Sequence, residues 1–207
     1  MEPQWLNWAK RLQAIAQNGL TFSEDKPFDL ERYEAIRQIA AEMMATAAQT
    51  ELQPVLDLFT GEIGYATPKV DVRAAVFRDG AILLVKEQSD GLWTLPGGWA
   101  DVSESPSENI TREVYEEAGF RVRVAKLAAV YDRSRHPHRP PFPHHVYKLF
   151  FLCDIVDGTA TPGVETSEVG FFAEKAIPPL SINRVTPAQV ARMFEHYRRP
   201  DLSADFD

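Results

Sequence analysis

The chain is poor in cysteine: Cys153 is alone among 207 residues. One thiol cannot close an internal disulfide, so packing and hydrogen bonds must hold the fold, and a reducing cytoplasmic location is the expectation. Long apolar runs are missing as well. The longest, such as Ala81–Val85 and Leu149–Cys153, fall far short of the roughly 20 residues of a membrane helix. Met1 to Lys10 (MEPQWLNWAK) has no apolar signal-peptide core. No membrane partner is expected. Positive charge is in deficit, with 22 Lys and Arg against 30 Asp and Glu and a net charge of −8. That balance disfavours a general nucleic-acid coat or an anionic-membrane binder, because phosphate backbones select basic surfaces. An anionic substrate would need something that locally overturns the excess. Internal repeats and low-complexity tracts are also absent.

What is present is a soluble globular composition, 44% apolar and 25% charged. The length fits one large or two small domains at about 150 residues each. Trp5, Trp8, Leu12 and Ile15 recur at helical spacing, with Gly19 as the expected stop. A second helix is expected from an Asp29 N-cap, with Phe28 and Tyr33 as staple and Tyr33, Ile36, Ala40, Met43 and Ala47 as its stripe. A third starts at Thr50, with Gln53 closing a capping box, and stops by Gly61. Residues 60–69 (TGEIGYATPK) read as a linker. These residues are too few to bury a core of their own, so their stripes are expected to pack on the rest of the chain or on a second subunit. Trp5 and Trp8 read as core or interface. The division is residues 1–66 as a helical extension and 67–207 as the main domain.

Beyond the linker the texture becomes β-rich. Val70–Phe77, Ala81–Lys86, Arg121–Tyr131, Val146–Val156 and Val169–Ala173 are strand candidates separated by Gly, Pro and Asp. The last helix carries Thr186 as N-cap, Pro187 at its first position and Gln189 closing a box, with Val190, Met193, Phe194 and Tyr197 on one face. The tail from Pro200 is expected to fray. Strands with two inserted helices suggest an α+β fold, a mixed sheet sandwiched by helices.

Gly97–Phe120 (GGWADVSESPSENITREVYEEAGF) is the most informative stretch. Ser105, Pro106 and Glu108 agree on a helix start and Gly119 on its stop, which predicts a helix over Pro106–Ala118. Ile110, Val114 and Ala118 form its buried stripe. Glu113, Glu116 and Glu117 cluster beside that stripe. Like charges four apart cost a few tenths of a kcal/mol, and anions near a helix C-terminus roughly 0.3–1 kcal/mol each. A broken local rule points to a functional site or a missing partner, and the natural partner of clustered carboxylates is a hard divalent cation. The bland alternative is a solvated helix face.

The wider spacing discriminates. Gly98, Glu104, Arg112, Glu113, Val114, Glu116, Glu117, Gly119 and Phe120 resemble, without departure, the signature of the Nudix hydrolases: Gly, five residues, Glu, seven residues, then Arg-Glu-U-x-Glu-Glu-x-Gly-U. A chance match in a chain of this length is on the order of 10⁻⁷. The resemblance implies a Nudix α/β/α sandwich with a mixed β-sheet, preceded by a small all-α N-terminal domain. It implies metal-dependent hydrolysis of a diphosphate linking a nucleoside to another moiety X, releasing a nucleoside monophosphate, with Mg²⁺ or Mn²⁺ as cofactor. Glu113, Glu116 and Glu117 become metal ligands, one of them a possible base for water. The Gly97 carbonyl becomes a further ligand, and Arg112 orients a glutamate. Gly98, Glu104 and Gly119 take structural roles, Glu104 by pairing with Arg112.

Outside the signature, Glu165 and Glu168 are candidates for an extra base or ligand, or are solvated loop acids. Residues 131–145 (YDRSRHPHRPPFPHH) carry Arg133, Arg135, Arg139, four histidines and Phe142. Three readings stay open there: a substrate-contacting lid, a histidine metal site at His136, His138, His144 and His145, or a solvated connection. Trp99 is expected to line the pocket. The N-terminal segment WLNWAKRLQAIAQNGL is similar to the extension of bacterial Nudix enzymes acting on nucleoside diphosphates linked to X, which implies ADP-ribose or CDP-choline as substrate and a homodimer. RNA-end processing and a catalytically silent nucleotide-binding regulator are the rival readings.

Overall fold

The alternation in KVDVRAAVFR sends Val72, Ala74 and Val76 to one side of a strand and Ala75 to the other, and the apolar runs that follow do the same. The computed structural model describes residues 2–23 and 26–207. Among the described residues the elements are α1 (Gln4–Phe22), α2 (Pro27–Ala48), α3 (Leu52–Thr60), β1 (Lys69–Arg78), β2 (Ala81–Glu87), β3 (Trp93–Thr94), α4 (Pro106–Ala118), β4 (Phe120–Asp132), β5 (Val146–Gly158), β6 (Thr166–Ala173), α5 (Pro187–Arg198) and β7 (Asp205–Phe206). The chain divides into two compact units: the stretch up to Pro68 together with Pro141–His145, and Lys69–Pro140 together with Val146–Asp207.

In the second unit the strands run β3-β2-β1-β5-β4-β7, with β6 paired to β2. Pairing is parallel for β1 with β5 and for β4 with β7, and antiparallel elsewhere, so the sheet is mixed. Helix α4 covers one face through Ile110, Val114 and Ala118 against Val72, Val76, Leu83 and Phe151. The opposite face receives Val190, Met193 and Phe194 of α5 against Ala75, Ile82, Leu84 and Phe150. This is the expected mixed sheet between helices. The pairing register puts the end of β2, the start of β5, the end of β4 and the start of β6 at one edge of the sheet. The loop 96–98 joins them there, because the Val72 and Ala74 N–H groups donate to the Gly98 and Pro96 carbonyls at 2.8 and 2.9 Å.

In the first unit, Leu6 and Ala9 of α1 pack with Ala40, Ala41, Met44 and Ala45 of α2 and with Val55 and Phe59 of α3. Several sequence expectations are corrected here. Helix α1 runs through Gly19 to Phe22: a Cβ on Gly19 would lie 2.4 Å from the Tyr33 ring, so this glycine admits the neighbouring helix rather than ending its own. Its buried face is Leu6, Ala9, Gln13, Ala16 and Gln17, which leaves Trp8 and Ile15 half exposed. Helix α2 is capped at Lys26, with Pro27 first, and Asp29 sits inside the first turn, where it accepts from Arg32 Nη1 at 2.8 Å. Its buried face is Ala40, Ala41, Met44 and Ala45, so Ala47 lies outside it. Helix α3 follows Glu51 with no side-chain cap, and Gln53 instead donates to Asp57 at 2.8 Å. The tail is ordered as β7, the edge strand, which pairs with β4 and whose Asp205 accepts from Arg192 and from the Tyr131 hydroxyl.

Candidate active site

Helix α4 is locked at both ends. The Ser105 Oγ accepts from the Glu108 N–H at 3.3 Å and the Glu108 carboxylate accepts from the Ser105 N–H at 2.8 Å, while Gly119 closes the helix. That lock, with Ile110, Val114 and Ala118 fully buried, sets the direction of the three glutamates. Glu117 is 7% exposed and points to the sheet edge, where its Oε2 accepts from the Gly97 N–H at 2.8 Å. Gly97 is required there: its φ of +130° is unfavourable for a side chain, and a Cβ would stand 2.1 Å from the Val72 carbonyl. Gly98 brings the backbone against Glu113, since a Cβ there would lie 3.2 Å from its Oε2.

Arg112 is the hub of the outer cluster. Its Nε donates to Glu104 at 3.2 Å, Nη1 to Glu113 at 3.1 Å and Glu116 at 2.8 Å, and Nη2 to Asp101 at 2.7 Å and Asn109 at 3.3 Å. Like charges on α4 are thereby separated by a shared cation. Among the described residues, no three His, Cys, Asp or Glu side chains converge as a ready-made cation cage, because Glu113 and Glu116 turn to Arg112 and Glu117 to Gly97.

Burial pushes the Glu117 carboxyl up to about 8, against the opposing pull of the nearby Arg73 charge and the Gly97 N–H. Burial also raises Glu113, with Arg112 pulling the other way. Beneath this lies a buried charged group that sequence reasoning missed. Arg73 donates to both oxygens of Asp71, at 3.0 and 2.8 Å, and to the Leu95 carbonyl at 3.1 Å. Lys148 Nζ lies 2.5 Å from Asp71 Oδ1. Burial alone would raise the Asp71 carboxyl, but its two cations hold it below the usual carboxylate range. Glu87, also missed, pairs with Arg184 at 2.9 Å, and its charge acts on Glu117. The available signal was an acid, a base and a lysine on inward positions of apolar strands.

The remaining candidates scatter. Glu168 pairs with Lys86 at 2.7 Å on the exposed face of β6, while Glu165 is exposed and lends its carbonyl to the Gln88 N–H. Trp99 is half exposed and forms an isolated bridge with Asp71. Arg133 turns inward: it is 8% exposed and donates to Asn183 Oδ1 at 2.7 Å and the Pro140 carbonyl at 3.0 Å, so its guanidinium braces the loop. Arg135 is exposed beside Asp132 at 3.9 Å, and Arg139 is exposed on the rim of a cavity. Within the second unit His138 is buried against the Ile182 carbonyl and His136 pairs with Asp207; in the first, His144 lies beside the Phe142 ring.

Two family models match this chain, the UDP-X-like, N-terminal oligomerisation domain over residues 3–59 and the NUDIX domain over residues 67–194. The Bacillus subtilis (strain 168) protein YjhB, a candidate ADP-ribose pyrophosphatase, is 46% identical over 100% of this chain and 99% of its own length. An ADP-ribose pyrophosphatase of Streptococcus suis 89-1591 matches with 41% identity and a TM-score of 0.62 over 68% of this chain and 100% of its own. The crystal structure of a UDP-X diphosphatase matches over 100% of both chains with 35% identity and a TM-score of 0.64. With the complete signature on α4 and its loop, these similarities show that the chain belongs to the Nudix family and is a Nudix pyrophosphohydrolase.

Proposed function

We propose that this enzyme cleaves the diphosphate of a nucleoside diphosphate linked to X, with ADP-ribose as its first substrate, and that it uses Mg²⁺, with Mn²⁺ able to replace it. The observation that carries the reading is that Glu117 accepts from the Gly97 N–H and Glu113 lies against Gly98 at one end of the sheet, with Glu113 and Glu116 joined through Arg112. The donor set suits a hard divalent cation: Glu113 and Glu117 are carboxyls that burial alone disfavours in charged form, and a cation would restore that form. Glu113, Glu116, Glu117 and the Gly97 carbonyl would hold it, and the bound ion would polarise the diphosphate and acidify a water.

The chain's own residues do the rest. Arg112 keeps Glu113 and Glu116 aligned until they are needed, and Glu104 and Asp101 hold Arg112. The Gly97 N–H orients Glu117, and the Arg73 charge below opposes its protonation. The Asp71–Arg73–Lys148 group fixes the strand to which the glycine loop is bonded. One of Glu113, Glu116 and Glu117 would serve as the proton acceptor for the attacking water.

The full-length protein with Mg²⁺ and ADP-ribose is expected to release AMP and ribose 5-phosphate. UDP-glucose, CDP-choline and capped RNA in parallel decide among X groups and RNA ends. Release of no nucleoside monophosphate from any of them would leave the silent nucleotide-binding reading.

The assembly we propose is a homodimer through the first unit. Trp8, Ile15 and Phe22 are 50%, 52% and 67% exposed and recur every seven residues along α1, an apolar stripe suited to a second copy. The match to an oligomerisation domain supports it.

A further inference from the structure

A cavity of about 440 Å³ lies in the second unit between the turn after β2, Arg139–Pro140 and the segment 180–184 that precedes α5. Its walls are braced. Arg184 donates to Glu87 at 2.9 Å, to Asp90 and Ser181 at 3.0 Å each, and to the Ser89 hydroxyl at 3.1 Å. Asp90 also accepts from the Ser181 hydroxyl at 2.7 Å and from the Leu92 N–H at 3.0 Å. On the other side, Arg133 ties Pro140 to Asn183, and the His138 imidazole bonds the Ile182 carbonyl at 2.8 Å.

This bonding commits Arg184 to both Glu87 and Asp90 and leaves one lining cation without a bonded anion. Arg139 is exposed on the rim and makes no hydrogen bond or ion pair among the described residues. No aromatic ring lines the cavity. The wall also adjoins the chemistry: Arg184 holds Glu87 at the end of β2, and the Ser181 N–H donates at 2.8 Å to the carbonyl of Trp93 in β3, which leads directly into the loop 96–98.

We propose that this cavity receives the X group of the substrate and that Arg139 makes it selective for a hydroxyl-rich sugar over a cationic alcohol. The inference rests on the diphosphatase reading above and specifies its substrate class. A sugar offers oxygens to the planar donor fork of Arg139 and to the exposed polar atoms of the rim. A quaternary ammonium meets like charge there, and it lacks the aromatic faces by which such cations are recognised. ADP-ribose and nucleoside diphosphate sugars therefore rank above CDP-choline.

The test uses the full-length protein in Mg²⁺ buffer and two product halves that share a phosphate and differ in X, ribose 5-phosphate and phosphocholine. Calorimetry is expected to give at least about tenfold tighter binding of ribose 5-phosphate. Arg139→Ala should remove most of that preference, and Arg139→Lys, a point charge without the fork, should retain part of it. In turnover, Arg139→Glu should raise KM for ADP-ribose about tenfold and shift kcat/KM toward CDP-choline, with circular dichroism confirming the fold. Equal binding of the two halves, or an Arg139→Ala variant with unchanged discrimination, overturns the proposal. A wild-type protein that hydrolyses no diphosphate defeats the functional reading instead, and the calorimetric preference still decides the cavity.

Discussion

Asn109 belongs to none of the positions that define the signature, and the structure makes it the staple of the catalytic loop. It is fully buried in α4. Its Oδ1 accepts from the Asp101 N–H at 2.6 Å, and its Nδ2 donates toward the carbonyls of Asp101, Glu104 and Ser105 at 3.3, 3.3 and 3.2 Å. Asn109→Ala deletes this set and strands an amide and several carbonyls. At about 1 kcal/mol per net hydrogen bond and 1–3 kcal/mol for a buried group left unpaired, the loss is about 2–4 kcal/mol. For a chain of this size that is roughly a 10 °C fall in Tm. Asn109→Asp keeps the acceptor but turns a second oxygen toward three carbonyl oxygens, so it should be less stable than the alanine variant. Both should lose at least about tenfold in kcat, because the segment 101–105 carries Asp101 and Glu104, two of the carboxylates that hold Arg112. Urea unfolding followed by circular dichroism, with kcat on ADP-ribose at saturating Mg²⁺, reads both effects. An Asn109→Ala protein within about 0.5 kcal/mol of wild type, or an aspartate variant as stable as wild type, refutes the staple.

Glu113→Gln should nearly abolish diphosphate hydrolysis while leaving the circular dichroism spectrum unchanged; full activity would remove Glu113 from the site. Burial pushes the His138 imidazole down to about 3, while its Nδ1–H donates to the Ile182 carbonyl and its Nε2 accepts from Gln189 at 3.3 Å. The unfolded chain, titrating near 6.5, binds a proton that the folded chain refuses. Stability is therefore full above about pH 6.5 and falls as pH drops toward 3, and His138→Gln should flatten that slope in urea midpoints compared at pH 7 and 4.5. If the proposed dimer forms through α1, wild type should have twice the chain mass by light scattering and Ile15→Asp, in the exposed stripe of α1, the mass of one chain without loss of helix; a wild-type monomer, or a variant of unchanged mass, refutes that interface.

The starts of helices α4 and α5 were legible to the residue, since each carries Ser or Thr, Pro and a Glu or Gln at the capping spacing, and these signals act within one turn. The grouping of Glu113, Glu116 and Glu117 was legible for the same reason: a helix of 3.6 residues per turn fixes which residues share a face. Helix α1 shows the limit, because two faces could be read as apolar and only packing chose Leu6, Ala9 and Ala16 over Trp8 and Ile15. Arg133 likewise turned inward because Asn183, fifty positions away, was there to accept it.

The sequence alone determined the chemistry of the helix, its ends and the spacing of its carboxylates, because those depend on contacts a few residues apart. The tertiary structure decided what surrounds them. Asp71, Arg73 and Lys148 meet because β1 lies parallel to β5 in one register, and the Arg139 cavity exists because the turn after β2, the loop after β4 and the segment before α5 come together. Pairing and loop closure between distant segments set those contacts, and neither is written in any local run of residues.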